Sequence, residues 1–321
     1  MVEERAVSCV GPGLDAEQAA TPPASVDTPD TKEMGRGAES EDSAAQQLSS
    51  RQPDASLPSS LSSPSASISS LAASLTESSL AHFPVRERFV AIPVDEAPVL
   101  PVGWVKVDFH MHTYGSGDAV TTDDEFGAAV EEADLDVVCI TDHNAVRVAH
   151  ILAAELDVRV IIGEEIKTHE GELIGLFLQE RVAFGYPSAV AASMVREQGG
   201  LTYVPHPIGP RNYAMSTEAM FALIEEDLLD AIEVFNARNS LDVINRKAAA
   251  FATATGLPGG AGSDAHYPEE IGAAWLIMPD FDSPDDFLES MQEGQVVGTR
   301  HDPKMSVWRP RIIPSSSALF S

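Results

Sequence analysis

From residue 104 to residue 278 the chain alternates short apolar runs with longer segments whose apolar residues recur at helical spacing. The runs predict strands at Trp104–His110, Asp136–Thr141, Arg159–Gly163, Glu172–Leu178, Gly200–Pro205, Ala231–Phe235, Gly259–Ser263 and Ala273–Met278. The periodic segments predict helices at Thr122–Ala133, Ala145–Glu155, Pro187–Gln198, Thr217–Glu226, Ser240–Thr255 and Pro284–Gly294. Strands alternating with helices imply a parallel sheet, and this many units imply an α/β barrel. Glu172 opens a strand instead of closing one, which predicts the return arm of a hairpin after Glu165.

Residues 1 to about 85 lack this pattern. They are poor in aromatics and rich in Ser, Ala, Pro and Gln, with low complexity from Ser56 to Ser70. Such a composition buries too little apolar surface to offset its ordering entropy, so a disordered tail is expected. Leu71, Leu75 and Leu80 allow a transient helix there, to which no function attaches. The folded domain is expected over residues 86–300, followed by an irregular tail over 301–321.

An apolar fraction of 44% in 321 residues suffices for a substantial core. No apolar run approaches about 18 residues, so no membrane-spanning helix is expected. The start, Met1 to Arg5, lacks a basic stretch followed by an apolar one, so a cytoplasmic protein is expected. Cys9 and Cys139 fall in a predicted tail and a predicted buried strand, which makes a disulfide unpromising. The formal net charge of −30 repels a polyanion at long range, disfavouring long duplex nucleic acid as a partner.

Chemistry concentrates where the predicted strands end. His110-Met111-His112 places two imidazoles on one side of an extended chain. The turn Gly115-Ser116-Gly117-Asp118 can fold a carboxylate back towards them. Asp142 and His143 follow the apolar run 137–141; His143 is read as a ligand and Asp142 as a group that orients one, although Asp142 could equally cap a helix. Glu165 ends the next run and offers two oxygens able to bridge cations, ahead of its neighbour Glu164. Glu172 follows, with His169 in the adjoining polar turn as the other candidate. His206 stands between two prolines that rigidify its loop. Asp264-Ala265-His266 completes the set. Imidazoles and carboxylates so displayed are the donors that divalent ions require.

These motifs resemble those of the PHP family, named for its polymerase and histidinol phosphatase members. The likeness spans residues of about 104 to 300. It rests on His110-X-His112-Thr113 with Asp118, Thr141-Asp142-His143, Gly163-Glu164-Glu165, Pro205-His206-Pro207 and Ser263-Asp264-Ala265-His266, a set of high specificity. It implies a distorted (β/α)7 TIM-like barrel holding two or three divalent metal ions, commonly Zn, Mn or Fe. It further implies that His110, His112, Glu165 and Asp264 hold a first ion. Glu165 would bridge to a second, held also by His206 and Glu172, and Asp118, His143 and His266 would hold a third. Asp118 stands where several relatives carry His, as an acceptable oxygen ligand, and Glu172 where many do, a departure that leaves the metal's identity open.

The resemblance implies hydrolysis of a phosphoester by water activated between cations, with a small phosphorylated substrate as partner. Arg211 and Arg238 are candidates to grip its phosphate, although each could equally be a surface ion-pair residue; Lys167 is a weaker candidate. An exonuclease-like activity on short oligonucleotides or nucleic-acid ends is the alternative, and a non-catalytic metal-binding scaffold a further one. Oligomeric state is not encoded in any of these patterns.

Overall fold

The computed structural model describes residues 64–301. The strands are β1 (Trp104–Met111), β2 (Val137–Ile140), β3 (Arg159–Lys167), β4 (Glu172–Leu176), β5 (Leu201–Val204), β6 (Ala231–Asn236), β7 (Gly259–Gly262), β8 (Ala274–Pro279) and β9 (Gln295–Gly298). The helices are α1 (Pro64–Ser74), α2 (Glu77–Leu80), α3 (Asp123–Glu132), α4 (Arg147–Glu155), α5 (Ser188–Glu197), α6 (Thr217–Glu225), α7 (Asp242–Thr255) and α8 (Pro284–Met291).

The sheet order is β7-β6-β5-β4-β3-β2-β1-β8-β9. β1, β2 and β3 run parallel, as do β5, β6 and β7. β4 runs antiparallel to both neighbours because it returns directly from β3 in a hairpin without a helix. Just past β7 the chain pairs with the end of β1: the Asp264 N–H donates to His110 O at 2.7 Å and the His112 N–H to Ala265 O at 2.9 Å. This pairing nearly closes β1 to β7 into a distorted α/β barrel of the TIM-like kind. β8 and β9 continue antiparallel from the edge of β1 opposite β2.

Local chemistry sets the helix boundaries. Thr122 caps α3 in a reciprocal capping box with Glu125, and acidic Asp123 and Asp124 occupy the first turn, where the helix dipole favours them. Ser283 caps α8, with Pro284 at its first position. Val105, Val107 and Phe109 of β1 belong to a buried cluster with Tyr203 and Phe287. Met111 instead joins Phe126, Val138, Ile140 and Leu152 beneath α3 and α4. The pairing register of β1 shifts between Asp108 and Met111, and such an irregularity turns the last side chains to a new face. His110 and His112 lie at and just past this shift, at the barrel mouth.

The fold differs from the sequence expectation at its start. Residues 64–85, expected within the tail, form α1 and α2 and pack on the barrel. Leu80 is fully buried and Leu75 nearly so, with Leu71 and Phe83 against the same core. Arg246 of α7 donates to the carbonyls of Ala81 and Phe83, and Lys247 pairs with Glu77 at 3.1 Å. The Leu71, Leu75 and Leu80 stripe has a receiving surface in tertiary structure that a serine-rich composition conceals. β9 also went unpredicted, since only four residues make it and they pair with β8 and Ile92. Residues 1–63 and 302–321, including Cys9 and the greater part of the low-complexity stretch, lie outside the described residues. No described helix is long and apolar enough to cross a membrane.

Candidate metal centre

One mouth of the barrel gathers the candidate ligands. His110 and His112 come from the end of β1, Asp118 from the turn after it, and His143 from the segment after β2. Glu165 lies inside β3, which runs two residues beyond it. Glu172 is the first residue of β4; reversal of that strand puts its start at the mouth where its neighbours end. His206 follows β5, and Asp264 and His266 follow β7.

The side chains converge. His110 Nε2 lies 3.0 Å from His112 Nε2, 3.5 Å from Glu165 Oε2 and 3.6 Å from Asp264 Oδ1. His112 Nε2 is 3.4 Å from both Glu165 Oε2 and Asp264 Oδ1. Glu165 Oε1 is 2.9 Å from His206 Nε2, which is 3.6 Å from Glu172 Oε2. Asp118 Oδ2 lies 3.4 Å from His143 Nε2 and 3.6 Å from His266 Nε2. Four overlapping sets place their donor atoms within 4.8 Å of one another: His110 with His112 and Asp264, His110 with Glu165 and His206, His143 with Glu165 and Glu172, and His112 with His143 and His266.

The donors fit divalent ions. Ligands about 2.0–2.1 Å from a zinc ion stand roughly 3.3 Å apart across a tetrahedron, and the separations above bracket that figure. Glu165 Oε2 is fully buried and near three imidazoles, yet its geometry satisfies no hydrogen bond. Side chains arranged around common points, instead of donor-to-acceptor along lines, are what coordination requires. His169, the alternative to Glu172, is exposed and outside the cluster. Glu164 points to the far side, where its Oε2 accepts the Val182 N–H at 2.7 Å.

A scaffold of hydrogen bonds holds the ligands. Asp142 accepts from the Thr113 N–H and hydroxyl at 2.7 and 2.6 Å and from the Ser116 hydroxyl at 2.8 Å. Ser116 Oγ in turn lies 2.7 Å from His112 Nδ1, so Asp142 orients the His112 imidazole through Ser116 and does not cap α4. Asp108 Oδ1 accepts the N–H groups of His110 and Ser263. Glu233 and Asn236 of β6 also reach the site, although they belong to none of the motifs. The one available signal was Glu233 in the middle of a strand of apolar residues, since a carboxylate there must find partners. His206 and Asp264 adopt left-handed backbone angles, φ 31° and 52°, uncommon for residues with a side chain.

Electrostatics follow from this crowding. Burial works against the charged forms of Glu165 and Asp264, but the surrounding histidines outweigh it and hold both well below the usual carboxylate range. Burial and the charge of Glu165 push Glu172 up to about 7. Burial, followed by repulsion from His266, lowers His112 to about 3. Burial also opposes charge on His143, yet the adjacent carboxylates of Asp118 and Glu165 prevail and raise it to about 11.

The two arginines differ. Arg211 is exposed on the loop after His206, with its guanidinium on the Tyr213 hydroxyl and 5.4 Å from that ring. The Tyr213 ring lies 5.2 Å from His206. Arg238 is half-buried and paired with Glu270 Oε2 at 3.0 Å, an oxygen that also accepts the His266 N–H at 2.8 Å. Both line a cleft that includes Asn236, Asn239 and Ser240 and opens beside His206 and Asp264. Lys167 is exposed and ends β3, paired with Glu172 where the hairpin begins.

Fold and site together define a TIM-like α/β barrel with a His- and carboxylate-lined site able to hold metal at its mouth. The chain belongs to the PHP family; the model described as PHP-associated matches residues 244–296. An uncharacterized protein of Methanocaldococcus jannaschii, MJ1587, is 38% identical over 154 residues, which cover 44% of this chain and 87% of that protein. A second from the same organism, MJ0417, is 32% identical over 198 residues, covering 59% and 79% respectively. Among solved structures, a two-domain protein from Bacteroides vulgatus containing a predicted PHP-like metal-dependent phosphoesterase superposes with a TM-score of 0.51 at 19% identity. That match covers 63% of this chain and 68% of the other, a likeness of fold.

Proposed function

We propose that this protein is a metal-dependent phosphoesterase that hydrolyses a small phosphorylated substrate. The observation that carries the reading is the convergence of His110, His112, His143, Glu165, His206, Asp264 and His266 within one barrel mouth. Asp118 and Glu172 complete the donor set. Two or three divalent ions, Zn, Mn or Fe, would be held by the sets described above, with Glu165 shared between them. Bound there, they would supply Lewis acidity and lower the pKa of water towards neutrality.

The chain's own residues supply the rest. Glu165, with an oxygen towards each of several imidazoles, sets the spacing of the centre. Asp264 closes it on the β7 side. Arg211 is free to form charge-assisted hydrogen bonds with phosphate oxygens in the adjacent cleft. Arg238 reaches the same cleft from its pair with Glu270, so it shapes the wall more than it offers unpaired charge. Tyr213 walls off His206 from solvent. A cleft that sets Asn236, Asn239 and Ser240 beside the guanidinium of Arg211 suits a small phosphorylated molecule. The net charge of −30 weighs against a long duplex.

The test is hydrolysis by protein loaded in turn with zinc, manganese and iron, on nucleoside monophosphates and bisphosphates, sugar phosphates and short single strands. Phosphate release from the small substrates, abolished in Asp264→Asn, is the expected result. Cleavage of single strands alone would establish the exonuclease-like alternative. Tight metal binding with no activity on any of them would leave the scaffold reading.

A further inference from the structure

We infer that Glu233 is a positioning residue for the metal centre: its carboxylate fixes which nitrogen of His110 faces the metal and pins the His206 turn in place. The inference rests on the metal-binding reading of the cluster, but not on the phosphoesterase activity.

Glu233 is 1% exposed in the middle of β6, between Ile232 and Val234. Its two oxygens do different work. Oε2 accepts the His206 backbone N–H at 2.6 Å and the Asn236 side-chain amide at 2.9 Å. Both groups can only donate, so that oxygen must be an acceptor. Oε1 lies 3.3 Å from His110 Nδ1. A carboxylate there takes a proton from neither side and asks Nδ1 to carry one. The lone pair of a neutral His110 is then on Nε2, the nitrogen that faces His112, Glu165 and Asp264.

Two further features depend on this contact. His206 has φ 31°, and its N–H to Glu233 ties the backbone of that turn to β6. Asn236 donates to Glu233 Oε2 and also to Asp264 Oδ2 at 3.2 Å, extending the link to the ligand after β7. One buried carboxylate thus ties together ligands from three separate segments. Space for it is reserved by Gly262: a Cβ there would sit 2.4 Å from both Glu233 Oε1 and His110 Cβ.

Substitution with glutamine separates positioning from mere packing. The amide oxygen of Glu233→Gln must face the His206 N–H and Asn236, because those groups only donate. Its NH2 then faces His110 Nδ1 and forces the ring proton onto Nε2, where it blocks coordination. Zinc affinity is expected to fall 10- to 100-fold, with an altered cobalt d–d spectrum and an intact metal-free fold by circular dichroism. Affinity and spectrum equal to the unsubstituted protein would overturn the inference. A second measurement needs no variant: long-range proton–nitrogen NMR of zinc-loaded protein should find His110 protonated at Nδ1 and metal-bound at Nε2. Metal on Nδ1, or on neither nitrogen, overturns it even if the variant fails to fold. Failure of the unsubstituted protein to hold any metal would sink the metal reading and this inference with it. Metal binding without phosphoester hydrolysis would sink the proposed activity and leave Glu233 its role.

Discussion

At the scale of single residues, partners decide what a charged side chain can do. Arg238 and Arg211 are alike in sequence, both following strands, yet Arg238 is committed to Glu270 and Arg211, among the described residues, to the Tyr213 hydroxyl and no carboxylate. Arg211→Ala should therefore raise KM for a phosphorylated substrate with little change in thermal midpoint. Arg238→Ala should instead lower stability by about 1–3 kcal/mol, because Glu270 would keep its burial and lose its counter-charge; urea unfolding of the two variants checks the contrast. Glu164 offers a pH-dependent counterpart. Burial raises its pKa from 4.5 to about 7, against the hydrogen bond from Val182. An acid raised on folding adds most stability below its unfolded value of 4.5 and loses that contribution as pH rises through 7. Glu164→Gln should consequently exceed the unsubstituted protein in stability at pH 8, by about 1–3 kcal/mol after allowance for solvent screening. Below pH 4.5 the two should unfold alike.

At the scale of elements, the site depends on strands meeting at the right depth. His110 and His112 lie at and just past the register shift in β1, and the small residues of β7 let that strand approach β1 and β6 closely. Gly262→Ala is expected to abolish metal retention, since the Cβ would collide with Glu233 and His110 together; metal content after dialysis reads this directly. α1 and α2 serve differently, as a cover over α6 and α7. Leu80 is fully buried there, and Leu80→Ala should cost about 2–4 kcal/mol of stability while leaving metal stoichiometry unchanged. An unchanged unfolding midpoint would mean that this N-terminal segment does not contribute to the folded unit.

At the scale of the whole molecule, acidity and the metal centre are linked. A net charge of −30 is concentrated further where Asp118, Glu165, Glu172, Glu233 and Asp264 converge. Cations that bind the folded centre and not the unfolded chain stabilise by mass action, about 2.7 kcal/mol at a free concentration 100 times Kd. Scanning calorimetry should show the thermal midpoint rising with added zinc or manganese and returning on chelation. An unchanged midpoint would argue against a centre built into the fold.

What could be read directly from the residues was local: apolar periodicity marks each element, and ligand-type side chains stand at strand ends. That was enough to expect the barrel and the β3–β4 hairpin. It was also enough to gather His110, His143, His206 and Asp264 into one hypothesis, because parallel strands share a mouth. Tertiary structure alone decided which groups meet across long separations. Glu233 on His110, Glu270 on Arg238 and α1 and α2 on α6 and α7 are pairings between distant segments. No spacing rule links them; barrel closure and strand register do. The placement of Glu172 at the mouth, with His169 left exposed, has the same origin, for both occupy one short hairpin and the reversed direction of β4 carries Glu172 inward.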